Sequence, residues 1–133
     1  NISVSHKNVL RGLHYQWPYP QAKFIQILEG EVWDVAVDVR HDSPNFGKWV
    51  GVHLSGENHR QFYIPEGFAH GFLTLEDDTI FTYKCTGVYN KQAEGSIKWN
   101  DPDLNIEWDT NSPLLSAKDR VAPSFKDYIR ILK

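Results

Sequence analysis

With 133 residues, the chain can form one domain around a single hydrophobic core but not two domains of ordinary size. Its formal net charge of −3 at pH 7 provides no basic surface field for nucleic acid or for an anionic membrane. The sequence has no apolar run of the roughly 18 residues that a membrane helix requires, and its single cysteine excludes an internal disulfide. We therefore expect a cytoplasmic protein that binds neither nucleic acid nor a membrane, and that holds any anionic ligand through individual Arg and Lys side chains.

The residue pattern along the chain predicts a β-rich domain. Aromatic residues make up 14% of the chain and are accompanied by nine Gly and seven Pro. Side chains alternate over residues 23–28 and 31–39, which predicts two strands joined as a hairpin at Glu29-Gly30. The sequence also predicts further short strands and two C-terminal stretches with a helical turn or two. The strands are 49–54, 61–64, 69–75 and 79–86, and the helical turns are 116–120 and 124–132. Short strands between Gly/Pro turns are typical of an antiparallel sandwich or closed barrel.

The stretch RGLHYQ (residues 11–16) places a permanent cation, Arg11, three residues before an imidazole, His14. An arginine side chain stays charged at any working pH and offers a planar fork of donors to a carboxylate or phosphate. A histidine has an ordinary pKa of about 6.5, so it can transfer protons at neutral pH. Taken alone, the same spacing also fits a surface arginine and a core-edge histidine on a strand.

Six histidines make a metal site a hypothesis to weigh, but their spacing argues against it. The sequence contains neither His-x-His nor His-x-x-x-His, and one cysteine cannot form a thiolate cluster. The glycine-rich nucleotide loops and the Gly-x-Ser-x-Gly nucleophile turn are also absent. Cys85 follows apolar residues in a predicted strand, so we expect it in the core rather than as a nucleophile. We therefore predict acid–base chemistry without a metal or another cofactor.

The stretch PEGFAHGF (residues 65–72) combines a proline–glycine turn with a strand that carries His70. Its Pro-x-Gly-x-x-His spacing resembles the second sequence motif of the cupin barrels, in which that histidine points into the barrel. The paired His-x-His that usually accompanies the motif is absent, which fits a cupin that works without a metal. On an earlier apolar strand, Asp34 must either lie at an exposed edge or be paired with another group.

Six stretches in one order carry a resemblance to a known family. They are RGLHYQ (11–16), GEVWDVAVD (30–38), PEGFAHGF (65–72), YKCT (83–86), WNDPDL (99–104) and LSAKD (115–119). Together they closely resemble the dTDP-4-dehydrorhamnose 3,5-epimerases, over about residues 8–123. Each stretch alone is weakly specific, whereas six of them in order are highly specific.

The resemblance implies an all-β fold, a cupin-type jelly-roll barrel with short C-terminal helical turns, formed as a single domain over residues 1–133. It also implies a homodimer without cofactors and a nucleotide-linked 4-keto-6-deoxy sugar as substrate. The implied reaction is epimerisation at C3 and C5 of dTDP-4-dehydro-6-deoxyglucose to dTDP-4-dehydro-L-rhamnose, through an enolate. Members of this family carry a substantial segment before RGLH, whereas ten residues precede Arg11 here. We therefore expect part of that segment, and its substrate contacts, to be missing.

The resemblance also assigns catalytic roles to four residues. His14 is implied as the base that removes the protons from C3 and C5, and Asp119 as the partner that orients it. Tyr83 is implied as the acid that returns a proton from the opposite face of the sugar. Lys23 is implied as the cation that stabilises the enolate oxygen at C4.

Six further residues are implied in substrate binding. They are Arg11 for the diphosphate with Gln16 and Lys118 as its neighbours, Tyr89 for stacking on thymine, and Asp34 with His70 as a second carboxylate–imidazole pair lining the pocket. Physical chemistry supports the scheme, because a proton next to a ketone is acidic only where the enolate charge is held by a nearby cation.

Several alternatives stay open at this point. Tyr83 also fits an ordinary barrel-lining tyrosine, Asp119 a solvated carboxylate, and Asp34 with His70 a purely structural pair. At the level of function, the alternatives are a single-site epimerase of a related deoxysugar pathway and a non-catalytic cupin-like module that binds sugar.

Overall fold

The computed structural model describes residues 1–132 as two antiparallel β-sheets packed face to face. The strands are β1 (Ile2–Ser5), β2 (Leu10–Gln16), β3 (Lys23–Glu29), β4 (Glu31–Asp38), β5 (Trp49–Ser55), β6 (Gln61–Ile64), β7 (Phe68–Thr74), β8 (Thr79–Cys85) and β9 (Glu94–Ser96). A 3₁₀ turn at Lys91–Ala93 precedes β9, and two short helices follow it, α1 (Ala117–Arg120) and α2 (Phe125–Ile131).

The chain alternates between the two sheets. One sheet has the order β1-β8-β3-β6 and the other has the order β5-β4-β7-β2-β9. This alternation is that of a jelly roll. It confirms the predicted all-β jelly-roll barrel with short C-terminal helical turns.

The predicted hairpin between β3 and β4 is wrong, because these strands lie in different sheets. Gly30 turns the chain with φ of +88°, and a Cβ at this position would lie 2.4 Å from the hydroxyl oxygen of Thr79. A tight turn determines where the chain reverses, but it does not determine which strands pair with the two strands that flank it. Here β3 pairs with β6 and β8, and β4 pairs with β5 and β7.

Apolar side chains from both sheets form the core between them. The buried residues of this cluster are Ile25, Ile27, Val32, Ala36, Leu54, Ile64, Phe72 and Phe81. Phe72 and Phe81 face each other across the sandwich with ring centroids 4.3 Å apart. Burial of this surface is the main force that holds the sheets together.

The outer face of the five-stranded sheet is covered by the C-terminal part of the chain. Phe125 and Tyr128 of α2 are buried in a second apolar cluster with Val35 and Val37 of β4. The Tyr128 hydroxyl donates a hydrogen bond of 2.7 Å to the Val39 carbonyl. Strand β4 is therefore buried on both faces, which explains its nearly continuous run of apolar residues.

Three strands, β1, β2 and β9, were not among those predicted from the sequence. Strand β1 pairs with β8, and β2 pairs with β7 and β9. Strands β1 and β9 are too short to show a hydrophobic period, so only their pairing partners define them. Neither helix within residues 1–132 has the length and apolar character needed to cross a membrane.

The packing of α2 leads to a stability prediction. Phe125 is only 7% exposed, so we expect Phe125→Ala to lower the free energy of unfolding by about 3–5 kcal/mol in urea titrations. Ile131 on the same helix is 68% exposed, so Ile131→Ala should change stability by less than about 0.5 kcal/mol. Equal effects of the two substitutions would contradict the docking of α2 described here.

Candidate active site

A cavity of about 880 Å³ lies against β2, β3 and β8 and the segment 87–94. His14, Lys23 and Tyr83 are on its wall, and the same three residues also line an adjoining recess of about 400 Å³. His14 comes from the five-stranded sheet, whereas Lys23 and Tyr83 come from the four-stranded sheet. The fold therefore brings an imidazole, an ammonium and a phenol to one cavity.

His14 forms a hydrogen-bonded pair with a buried carboxylate. Its Nε2 lies 2.7 Å from Oδ1 of Asp119, whose side chain is 2% exposed, against 32% for His14. Asp119 is held in place because its Oδ2 accepts a 3.2 Å bond from the Gly12 amide. Its own amide donates to the Ser116 hydroxyl that caps α1. The structure thus places Asp119 as a buried partner and not as a solvated carboxylate.

The charge of Asp119 is stabilised within this pair. Burial alone would raise the pKa of the Asp119 carboxyl. The hydrogen bond and charge of His14, together with the bonds from Gly12 and Ser116, outweigh burial and lower the pKa below its ordinary value. Asp119 is therefore an anion over the working pH range, and it fixes a proton on Nε2 of His14. The other ring nitrogen, Nδ1, is left as the acceptor.

Gly12 allows the strand that carries His14 to approach β7 closely. Gly12 has φ of +131°, and a Cβ there would lie 2.6 Å from the Cα of Gly71 and 2.8 Å from the carbonyl oxygen of His70. Strands β2 and β7 can approach this closely only because the position has no side chain. The β2–β7 register is irregular at this point, after which His14 stands opposite His70.

Lys23 and Tyr83 lie on neighbouring strands of the four-stranded sheet. In the β3–β8 register, Lys23 is opposite Cys85 and Tyr83 is opposite Ile25. Burial lowers the pKa of the Lys23 ammonium, although the nearby Cys85 and Asp34 act in the opposite direction. Cys85, expected in the core, is instead half-buried on the cavity wall. Cys85 is on the same inward-facing side of β8 as Tyr83, and at this end of the strand that side borders the cavity and not the core.

A second carboxylate–imidazole pair lies behind the recess. His70 Nε2 is 2.8 Å from Asp34 Oδ1, and both side chains are buried. Burial raises the pKa of Asp34 and lowers that of His70, because the charged form of each group is poorly solvated there. The second oxygen of Asp34 has no hydrogen-bond partner among the described residues. Asp34 is thus paired and not at an edge, and His70 is the member that lines the recess.

Of the remaining predicted binding residues, the exposed Arg11 lines the recess and Tyr89 lines the cavity wall, whereas Lys118 lines neither. The hydroxyl of Tyr89 donates to Glu94, and Lys118 forms an ion pair with the same carboxylate. Glu94, on β9, was missed by the sequence analysis because no local pattern distinguishes it. Only the tertiary fold brings it between Tyr89 and Lys118.

Gln16 also lines the cavity, but its side-chain amide is engaged with backbone groups. Its Nε2 donates to the carbonyls of Tyr19 and Val88, at 2.7 and 3.2 Å. Its Oε1 accepts from the Asn90 amide at 3.1 Å. Within residues 1–132, no three His, Cys, Asp or Glu side chains are grouped closely enough to hold a metal ion.

Comparison with known proteins identifies the family. A family profile described as dTDP-4-dehydrorhamnose 3,5-epimerase matches residues 1–127. The dTDP-4-dehydrorhamnose 3,5-epimerase of Shigella flexneri is 56% identical over 128 residues, which are 96% of this chain and 71% of that protein.

Solved structures agree with the sequence comparison. The Legionella pneumophila dTDP-6-deoxy-D-glucose-3,5-epimerase in complex with dTDP-4-keto-L-rhamnose has a TM-score of 0.92 at 54% identity, covering 95% of this chain and 68% of that one. The 3′-monoepimerase ChmJ of Streptomyces bikiniensis, in complex with dTDP-quinovose, has a TM-score of 0.92 at 41% identity, covering 98% and 67%. The chain thus belongs to the dTDP-4-dehydrorhamnose 3,5-epimerase family, and it is an epimerase that acts on sugar nucleotides.

Proposed function

We propose that this chain inverts C3 and C5 of dTDP-4-dehydro-6-deoxyglucose to give dTDP-4-dehydro-L-rhamnose, a step of dTDP-L-rhamnose biosynthesis. The observation that carries the proposal is the shared cavity, in which the His14–Asp119 pair meets Lys23 and Tyr83. These groups are the ones that proton abstraction beside a ketone requires: a base, a cation for the oxyanion and a second proton carrier.

In the first step, Nδ1 of His14 removes the proton from the carbon next to the C4 ketone. The electron pair of the broken C–H bond moves into the enolate, and its negative charge moves to the C4 oxygen. Asp119 keeps the accepting nitrogen free by holding the proton on Nε2, and it stabilises the imidazolium that forms. Asp119 is therefore a positioning residue, whereas His14 is the catalytic base.

Lys23 stabilises the enolate oxygen. An ammonium in a partly desolvated site interacts strongly with a developing negative charge, and one such contact contributes about 3 kcal/mol to transition-state stabilisation. Burial lowers the pKa of Lys23, whereas the nearby Cys85 and Asp34 act to raise it. Lys23 makes no direct ion pair within residues 1–132, so its ammonium is available to the enolate oxygen.

Tyr83 completes the inversion. It donates its phenolic proton to the carbon from the face opposite His14, which restores the ketone with inverted configuration. The proton gained by His14 and the one lost by Tyr83 are then exchanged with solvent, so no cofactor is consumed. The same cycle at the second carbon inverts the other centre.

The residues around these groups bind the rest of the substrate. Arg11 and Lys118 offer positive charge to the diphosphate, and the exposed ring of Tyr89 offers a stacking surface to the thymine. His70 contacts the sugar, and Asp34 orients it from behind. Gln16 belongs to the same wall of the cavity.

A test by substitution separates catalysis from binding alone. We expect His14→Ala and Tyr83→Phe each to lower kcat by about 10²-fold or more, because each removes a proton-transfer group. NMR follows two readouts, the inversion of the sugar and the incorporation of deuterium from D2O, because exchange requires only the base whereas inversion also requires the acid. His53→Ala and Tyr63→Phe, at residues that line neither the cavity nor its recess, serve as matched controls.

The same experiment distinguishes the alternatives. Deuterium at both C3 and C5 supports the proposed double inversion, whereas label at one carbon indicates a single-site epimerase like the similar Streptomyces bikiniensis enzyme. If the His14 variant exchanges protons, or the Tyr83 variant inverts the sugar, as fast as the unaltered chain, the acid–base role assigned to that residue is wrong.

The paired state of Asp119 predicts a dependence of stability on pH. Since its folded-state pKa is lowered, its stabilising contribution is present above the ordinary aspartate pKa and is lost as the pH falls through the folded value. Asp119→Asn should cost about 1–3 kcal/mol of unfolding free energy at pH 7, and less near pH 3. Urea titrations at several pH values measure this, with the exposed Asp109→Asn as control. A cost that does not change with pH would refute the ionised pair.

We also propose that the chain functions as a homodimer. The outer face of the four-stranded sheet carries exposed apolar side chains at Ile2, Val4, Phe24 and Tyr63. Cross-strand pairing puts Phe24 opposite Tyr63, and Ile2 and Val4 lie on the same face of the sheet, on the far side of β8. Soluble proteins seldom leave a surface of this kind uncovered, and a second copy of the sheet supplies a matching face.

Charge placed on this outer face should separate the subunits. We expect Phe24→Asp to convert the dimer to monomer in analytical ultracentrifugation, because a carboxylate in an apolar interface is strongly unfavourable. Val121 is 80% exposed and away from that sheet, so Val121→Asp should leave the mass unchanged. A monomeric unaltered chain, or a Phe24→Asp variant that stays dimeric, would exclude this interface.

A further inference from the structure

Gln16 holds the peptide groups on both sides of Tyr89. The carbonyl before Tyr89 belongs to Val88 and accepts from Nε2 of Gln16 at 3.2 Å. The amide after Tyr89 belongs to Asn90 and donates to Oε1 of Gln16 at 3.1 Å. The Gln16 side-chain amide therefore both donates to and accepts from this segment, as a backbone peptide unit of a neighbouring β-strand would.

The segment that carries Tyr89 projects into solvent. Val88 is 84% exposed and Tyr89 is 58% exposed, so little apolar burial fixes their backbone. Gly87, with φ of +70°, has open space around it. Without the Gln16 amide, the position of the Tyr89 ring would depend on its hydroxyl bond to Glu94 and on the 3₁₀ turn that follows.

The same amide also fixes a second loop. Nε2 of Gln16 donates to the Tyr19 carbonyl at 2.7 Å, so one side chain joins the loop after β2 to the segment after β8. Gln16 lies two residues beyond His14 on β2. Its amide thereby sets the distance between the strand that carries His14 and the ring of Tyr89. All three of its bonds are made to the protein itself.

We infer that Gln16 is a positioning residue for Tyr89: it presents the Tyr89 ring to the nucleobase and sets nucleotide affinity through that ring, without touching the substrate. The inference rests on the proposed stacking of Tyr89 on the base. It differs from a diphosphate contact, because its whole effect passes through Tyr89. Loss of Gln16 should therefore weaken nucleotide binding and leave the proton transfers at His14 and Tyr83 unchanged.

Two substitutions at Gln16 test this inference. Gln16→Glu keeps the acceptor for Asn90 but turns an anionic oxygen towards two carbonyls, and Gln16→Met removes all three bonds without adding charge. We expect either substitution to weaken dTDP binding, measured by calorimetry, by about tenfold. We expect KM for the sugar nucleotide to rise similarly, whereas kcat at saturation should stay within about twofold.

A double-mutant cycle identifies the path of the effect. In a Tyr89→Ala background, either Gln16 substitution should change dTDP affinity by less than about twofold, since the ring it positions is gone. Gln92→Glu places the same charge nearby, on a residue whose side chain makes no hydrogen bond to the Tyr89 segment, and should leave dTDP affinity unchanged.

Each outcome decides between the two proposals. If the Gln16 variants weaken binding equally in both backgrounds, Gln16 acts on the nucleotide by a route other than Tyr89 and the inference is wrong. If they bind dTDP as tightly as the unaltered chain, the inference is also wrong, although Tyr89 keeps its proposed role. If Tyr89→Ala alone binds dTDP normally, the stacking in the proposed function fails, and the role of Gln16 fails with it.

Discussion

The contact between His14 and Asp119 is the interaction on which the rest of the site depends. It joins β2 to the short helix α1 across 105 residues of sequence, and it places a carboxylate that is 2% exposed against the imidazole. A buried carboxylate is stable only where several donors surround it, and here His14, Gly12 and the capped turn of α1 supply them. In the proposed mechanism, the C-terminal chain is thus part of the reaction chemistry as well as a cover for the sheet.

Two imidazole–carboxylate pairs stand near each other in different electrostatic states. In the His14 pair, several donors lower the pKa of Asp119, whereas burial dominates at Asp34 and raises its pKa. In the proposed mechanism, the ionised pair orients the imidazole that must gain a proton. The deeper pair suits a group that contacts the sugar without competing for that proton. The two pairs consist of the same residue types, so the opposite pKa shifts of Asp119 and Asp34 come from their different surroundings.

Strand positions and the motif residues at the cavity could be predicted from the sequence, because alternation and turn residues are local properties. Most strand boundaries agree with the structure to within one or two residues. The β3–β4 hairpin was wrong because sheet membership depends on which apolar faces meet. The roles of Glu94 and of the Gln16 amide were invisible in the sequence, since their partners lie on segments that approach only in the folded chain.

Strand β8 has two faces with different tasks. Tyr83 lines the cavity, while Thr82, one peptide unit away, stands opposite Gln26 on the other face of the sheet. In the proposed dimer, association over that face would fix the backbone that carries Tyr83. Surface positions on β3 and β8 should consequently tolerate few replacements during evolution, although none of them meets the sugar.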